Sequence, residues 1–234
     1  MHQSTFLDNV IDERRPMEVM SGAEFDHLLN TGWRLLGNSI VRHNFSVCRA
    51  EICRTVPLRI RLEDFQPSKS QRQLMRRNAH LVVRRSHIRL SQQKMKLFDL
   101  HVGRLQERQP ASLLSFLNPF SAETPVEGLE YRVYLDAKLV SCSFFHLGET
   151  AVSGTYCIYD PAYGPLSLGT YTMLLELQFA KEAGKAFYYH GYTYNVPSQF
   201  DYKLNFNALE SMNWETGNWQ PQARLPVRRW VDEL

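Results

Sequence analysis

The sequence predicts an α+β fold: a mixed, largely antiparallel sheet flanked by helices, with an N-terminal α/β region packed against it. Three patterns carry this expectation. Residues 130–135, 139–147 and 151–160 are rich in Val, Tyr, Phe and Thr and are separated by short polar segments, as in an antiparallel meander. Leu168, Tyr171, Leu175 and Phe179 recur at spacings of three, four and four between Ser167 and Gly184, the repeat of a helix with one apolar face. Val56, Leu58, Ile60 and Leu62 alternate with polar or proline positions, the period of a half-buried strand.

The remaining elements follow in chain order. Ser21 precedes an acidic turn and then Phe25, Leu28 and Leu29 at helical spacing, which predicts a short helix ending near Thr31 and Gly32. Pro67 and Ser68 act as a stop and an N-cap. In the helix predicted after them, Lys69, Arg72 and Arg76 share one face, with Arg77 beside them. Residues 92–108 carry Met95, Leu97, Phe98, Val102 and Leu105 and read as a further helix. The next stretch is rich in Pro, Ser and Asn, so the expected organisation is an N-terminal region (1–110), a linker (111–128), a catalytic region (129–215) and a tail (216–234). A short strand at 186–190 and an amphipathic, helical piece near 202–212 complete the catalytic region.

A chain of 234 residues, 44% hydrophobic and 22% charged, can bury one good core or two smaller ones sharing an interface. The first twenty residues lack an unbroken apolar run, and no other segment is apolar for long enough to cross a bilayer, so a cytoplasmic protein is expected. Cys48, Cys53, Cys142 and Cys157 are then expected as reduced thiols.

Net charge is only +3, but it is segregated. Residues 65–98 hold nine of the 27 basic residues and no acid, leaving 18 basic against 24 acidic residues elsewhere. A solvated helix face ordinarily mixes both signs, so a block of one sign points to a polyanion such as nucleic acid.

Several words of sequence resemble one family. Tyr159-Asp160-Pro161, Ser167-Leu168-Gly169-Thr170-Tyr171, Tyr188-Tyr189-His190-Gly191-Tyr192 and Tyr202-Lys203 with Phe206 are similar, in order and spacing, to the arginyl-tRNA and leucyl-tRNA protein transferases. Gly32-Trp33-Arg34, Pro57-Leu58-Arg59 and Pro67-Ser68-Lys69-Ser70-Gln71-Arg72 resemble the N-terminal region of that family. The resemblance spans residues 4–215 and implies an N-acetyltransferase-like core. It also implies transfer of Arg or Leu from aminoacyl-tRNA to a protein or peptide with an acidic N-terminus, which marks the protein for degradation. Three departures stand out. Ser4-Thr5-Phe6-Leu7 lacks the family's first Cys, and Cys48 and Cys53 are more widely spaced than the usual pair. Pro197-Ser198-Gln199-Phe200 replaces a Lys-Met word. Two thiolates do not complete a four-ligand site, so no metal and no cofactor is expected.

An aminoacyl ester is already activated, and the chemistry requires a positioned neutral amine and a stabilised oxyanion. Asp160, at a strand end before the Gly-containing loop, is the candidate to hold an ammonium; Tyr202 and Lys203 are the other candidate catalytic residues. Ser167, Leu168, Gly169 and Thr170, with Tyr189 and Tyr192, are expected at the tRNA 3′ end, through helix N-terminal N–H groups and base stacking. Lys69, Arg72, Arg76 and Arg77 are expected on the tRNA backbone, and Arg34 and Arg59 as cations lining the cleft. His190 is a further candidate base, whereas Cys157 reads as structural. Other readings are a tRNA-dependent ligase acting on a small molecule or peptide natural product, motivated by residues 197–200, and a non-catalytic tRNA-binding homologue. An acyl-CoA acetyltransferase would leave the basic block without a use.

Overall fold

The computed structural model describes residues 10–48, 51–104 and 109–222. The Ser4 to Leu7 word, the end of the helix expected to reach residue 108, and the tail beyond 222 lie outside the described residues. The strands are β1 (Asp12–Pro16), β2 (Arg34–Leu36), β3 (Ser39–His43), β4 (Phe45–Cys48), β5 (Glu51–Arg61), β6 (Val82–His87), β7 (Gly128–Leu135), β8 (Lys138–Leu147), β9 (Ala151–Tyr159), β10 (Phe187–Tyr194), β11 (Leu209–Met212) and β12 (Trp219–Pro221). The α-helices are α1 (Gly22–Asn30), α2 (Lys69–Arg77), α3 (Gln92–Val102) and α4 (Leu168–Glu182).

Local chemistry explains the helix starts. The Ser21 hydroxyl accepts from the Glu24 N–H at the head of α1. Ser68 and Gln71 form a reciprocal capping box at the head of α2, satisfying two N–H groups that a helix start otherwise leaves open. Ser167, ahead of α4, adopts a left-handed conformation (φ 48°, ψ 47°) and its side chain makes no capping hydrogen bond.

Nine strands form one sheet in the order β12-β11-β5-β10-β9-β8-β7-β6, with β4 paired to β5, and β1-β3-β2 form a small separate sheet. All neighbours in the large sheet are antiparallel except β9 and β10. Those two run parallel and pair only through Ala151–Ser153 and Phe187–Tyr189. Beyond that register β9 pairs on with β8 and β10 with β5, so the two strands diverge. The meander, helix and parallel strand appear in the expected N-acetyltransferase-like order.

Residues on both sides of the expected linker share this sheet, since β5 pairs β10 and β6 pairs β7. The segment 111–128 itself is packed: Leu113 and Leu117 are fully buried against Ile88, Leu97, Phe98 and Phe144, and Val126 joins Phe25, Leu29 and Trp33. Its Pro, Ser and Asn residues turn the chain, as when Asn118 donates to the Gly37 and Thr124 carbonyls. A second difference concerns 202–212, expected as helix. Asp201–Asn205 is a short 3₁₀ segment and Leu209–Met212 is β11, because Glu210 at its centre is held by Arg59 and Arg61 of β5. The largest core cluster joins Leu58, Ile60 and Leu62 of β5 and its continuation to Leu74 of α2 and Leu168, Leu174 and Leu177 of α4. Among the described residues no helix is long and apolar enough to cross a membrane.

Leu117→Ala tests whether 111–128 belongs to the core. A fully buried leucine predicts a loss of about 2–5 kcal/mol, or roughly 5–15 °C in melting midpoint. A change within about 0.5 kcal/mol, as for a surface position, would mean that the segment is a tether.

Candidate active site

Where β9 and β10 diverge, a cleft of about 790 Å³ opens, walled by β10, the first turns of α4 and the segment 197–203. Alternation along β10 decides which tyrosines face it. Tyr188, His190, Tyr192 and Tyr194 line the cleft, while Tyr189 points to the other face. Along α4, Gly169, Thr172, Met173 and Glu176 line it, at the i, i+3, i+4, i+7 spacing of one helix face.

The cleft brings together much of the expected set: Arg34, Ser167, Leu168, Gly169, Thr170, Tyr192, Tyr202 and Lys203. Tyr202 is 40% exposed and also borders a second cavity, shared with Ser167 and Thr170 and walled by Ser68, Gln71 and Arg77 of the α2 region. Lys69, Arg72 and Arg76 are exposed on α2, and Arg77, also exposed, leads from that face into the second cavity.

Three expected site residues lie elsewhere. Asp160 is buried and caps the 3₁₀ segment Pro161–Leu166: Oδ1 accepts from the Ala162 N–H at 3.0 Å and Oδ2 from Lys138 Nζ at 2.9 Å. The Lys138 ammonium holds its carboxyl below the usual range. Asp160 is not a wall of the cleft, because both oxygens are taken by its own turn and the neighbouring strand. Arg59 is a buried core cation, paired with Glu210 at 2.6 Å, stacked on Phe187 and Trp219, and bonded to Asn30. Tyr189 accepts from Arg59 at 3.2 Å on that same face, so it does not reach the cleft.

The basic side chains inside the cleft are different in kind. The half-buried Arg34 guanidinium lies 5.1 Å over the Tyr192 ring and packs so tightly on Gly191 (φ +86°) that a Cβ there would fall 2.8 Å from it. No carboxylate pairs with Arg34 among the described residues, and burial lowers its pKa. Lys203, 8% exposed, donates to the Tyr192 carbonyl at 3.0 Å and lies 5.0 Å from the Phe200 ring. Burial, then the charge of Arg34, pushes its pKa well below the ordinary lysine value. The His190 imidazole is likewise driven well below its usual value by burial and by Lys203, which keeps it neutral.

Sequence reasoning missed Glu176. It is 3% exposed, accepts from the Tyr188 hydroxyl at 2.7 Å, and burial pushes its pKa up to about 7. The available signal was an acid inside the apolar run Leu174-Leu175-Glu176-Leu177. Cys157 lines the cleft between Ser141 and Thr172, with its thiol pushed up by burial to about 11, which disfavours the nucleophilic thiolate. The expectation of free thiols fails for Cys48 and Cys53, which are disulfide-bonded across the β4–β5 hairpin, where antiparallel pairing brings their Cα atoms to 5.9 Å. Cys142 is buried in β8 and Cys157 half-buried in β9, and no group of three or more His, Cys, Asp or Glu side chains among the described residues is placed to hold a metal ion.

A cleft between splayed parallel strands, entered over the N-terminus of the following helix, defines an N-acetyltransferase-like acyl-transfer fold. Residues 3–73 match the N-terminal part, and residues 93–213 the C-terminal part, of the arginine-tRNA-protein transferases. An aspartate/glutamate leucyltransferase of Paracoccus denitrificans is 30% identical over 231 residues, covering 89% of this chain and 79% of that protein. One from Aeromonas salmonicida is 26% identical over 234 residues, covering 94% of each. Among solved structures FemX is similar at a TM-score of 0.46 and 12% identity, over 82% of this chain and 65% of that one. The chain belongs to the arginine-tRNA-protein transferase family.

Asp160→Asn separates a capping role from a catalytic one. With the cap and the Lys138 pair weakened, stability falls by about 1–2 kcal/mol, or roughly 3–6 °C, while single-turnover transfer by the folded protein stays within about threefold of wild type. Because the folded carboxyl pKa is depressed, this stabilisation is present above the unfolded carboxyl's pKa and disappears as pH falls through the folded value. A hundredfold loss of transfer at unchanged melting would restore Asp160 to the chemistry.

Proposed function

We propose that this enzyme takes arginine or leucine from its ester on tRNA and joins it to the N-terminal amine of a protein or peptide whose first residue is acidic. The observation that carries this reading is a pair of basic side chains, Arg34 and Lys203, set without a carboxylate partner among the described residues in a cleft continuous with a basic approach. The names of the curated relatives support the acidic acceptor.

The tRNA approaches across α2, its phosphates held by Lys69, Arg72 and Arg76. Its 3′ end passes Arg77 and Tyr202 to the first turn of α4. There the N–H groups of Leu168, Gly169 and Thr170, which a helix start leaves without intrahelical partners, stabilise the oxyanion of the ester. The acceptor enters from the side of Tyr192, with its acidic side chain against Arg34. Lys203, which burial disposes to give up its proton, acts in its neutral form: it takes a proton from the acceptor's ammonium and becomes a second cation for that carboxylate. The freed amine attacks the ester carbonyl; as the new C–N bond forms and the ribose C–O bond breaks, a second proton passes from nitrogen to the leaving ribose oxygen. The product amide keeps one N–H, and Lys203 later returns its proton to solvent.

Transfer of labelled amino acid from charged tRNA to peptides beginning with Asp, Glu, Ala or Lys tests the reading directly; transfer to none of them, or equally to all four, would sink it. Replacing Lys69, Arg72 and Arg76 together is expected to flatten the slope of log affinity against log salt by about two units, at roughly 0.7–0.9 per phosphate contact. An unchanged slope would remove α2 from the tRNA interface. Arg34→Met is expected to lower kcat/KM for an Asp-initiated peptide by about thirtyfold to a thousandfold. Its effect on tRNA affinity should be small; an equal loss in both would place Arg34 on the nucleic acid.

A further inference from the structure

The cleft has two chemically opposite ends. Tyr192 stands beside Arg34 and Lys203, whereas Tyr188, four residues earlier on β10, donates to Glu176. At about 3.3 Å per residue the two ends are roughly 13 Å apart along the strand. Glu176 is buried among neutral walls. Tyr188 approaches it from β10, Cys157 from β9, Tyr131 from β7 and Tyr202 from the segment opposite, and no lysine or arginine pairs with it among the described residues. Gly154 of β9 closes this end: a Cβ there would lie 2.5 Å from the Tyr188 hydroxyl and 3.1 Å from Glu176 Oε2. A carboxyl at the bottom of an open cavity, with only the hydroxyls of Tyr188 and Ser143 beside it and no counter-charge, is costly to ionise until something cationic arrives.

We propose that Glu176, with Tyr188, is the socket for the side chain of the transferred amino acid and selects a cationic one, arginine, over leucine. This rests on the placement of the ester at the first turn of α4. Glu176 follows Gly169 by seven residues, a rise of about 10 Å, and helix side chains lean back toward the N-terminus, which brings the carboxylate to within roughly 7 Å of that turn. An extended arginyl side chain spans about that distance from its ester carbon to its guanidinium, from ordinary bond lengths. The donor's α-ammonium, one atom from the ester carbon, stays too near the helix start to reach Glu176, and a leucyl side chain ends short of it. With arginine at the acid end and an acidic acceptor residue at the basic end, the new Arg-Asp or Arg-Glu junction lies between two complementary charges. A leucine would leave the Glu176 carboxyl facing apolar carbon.

The test is a single-turnover comparison of arginyl-tRNA and leucyl-tRNA with one Asp-initiated peptide, using wild type, Glu176→Gln and Tyr188→Phe, with melting midpoints on the same preparations. Wild type is expected to prefer arginyl-tRNA. Glu176→Gln is expected to reduce the arginyl-to-leucyl ratio by about a hundredfold, the loss of one partner of a buried charge pair. Tyr188→Phe keeps the ring and should shift the same ratio in the same direction by about fivefold to tenfold. Preference of the wild type for leucyl-tRNA would overturn the socket while leaving tRNA-dependent transfer intact. So would an equal fall with both donors, which would instead make Glu176 a group of the common chemistry or of the fold. Absence of transfer from either donor would overturn the functional reading and the socket with it.

Discussion

The parting of β9 from β10 is the constraint on which the rest of this molecule depends. Their pairing is confined to Ala151–Ser153 and Phe187–Tyr189, and each strand then continues with a different neighbour. Divergence leaves a gap that α4 covers on one side and that 197–203 walls on the other. It also fixes which β10 side chains enter the gap, because alternation across a strand is strict. The β10–β5 register shifts between Tyr189 and Gly191, and the lack of a side chain at Gly191 leaves room for Arg34. The N-terminal region is not an accessory to this arrangement: β5 is the partner that draws β10 away, so residues 51–61 are as necessary to the cleft as β9.

Charge is distributed with a clear division between core and cleft. Outside the cleft, buried acids have cations: Glu210 holds Arg59 and Arg61, Glu130 holds Lys94 and Arg132, and Asp160 holds Lys138. Those pairs satisfy each other and tie strands together, and each leaves little capacity to bind anything else. Arg34, Lys203 and Glu176 lack such partners among the described residues, and all three border the cleft. Burial without a counter-charge raises the free energy of an ionised group, so these positions gain most from an oppositely charged ligand. Arg59 and Arg34 illustrate the contrast: two arginines that look alike as cleft candidates in sequence are separated by whether Glu210 is at hand.

Residues with local causes were legible. The Ser21 and Ser68 caps, the helical spacing from Leu168 to Phe179, the meander and the basic face of α2 depend on neighbours a few positions away, and each appears where its spacing put it. The elements that differ from their local pattern depend on distant partners. Leu209–Met212 reads as part of an amphipathic helical piece, and only the guanidinium groups of β5 make Glu210 a buried strand residue. The 111–128 segment reads as a tether from its turn-forming residues, yet two leucines within it complete a core built by α3 and β8.

What the sequence by itself determined is the class of fold, the family through its ordered words, and a one-signed helix suited to a polyanion. Each is a property of short-range spacing or of composition, which survives without coordinates. Tertiary structure alone decided which polar groups reach the cleft. Asp160, Arg59 and Tyr189 were drawn into turns and core pairs, while Glu176 was brought out of an apolar helix to face the gap. The reason is that a side chain's role depends on whether its charge is already answered: Lys138 answers Asp160 and Glu210 answers Arg59 from other strands, no such partner meets Glu176 among the described residues, and no local pattern encodes either outcome.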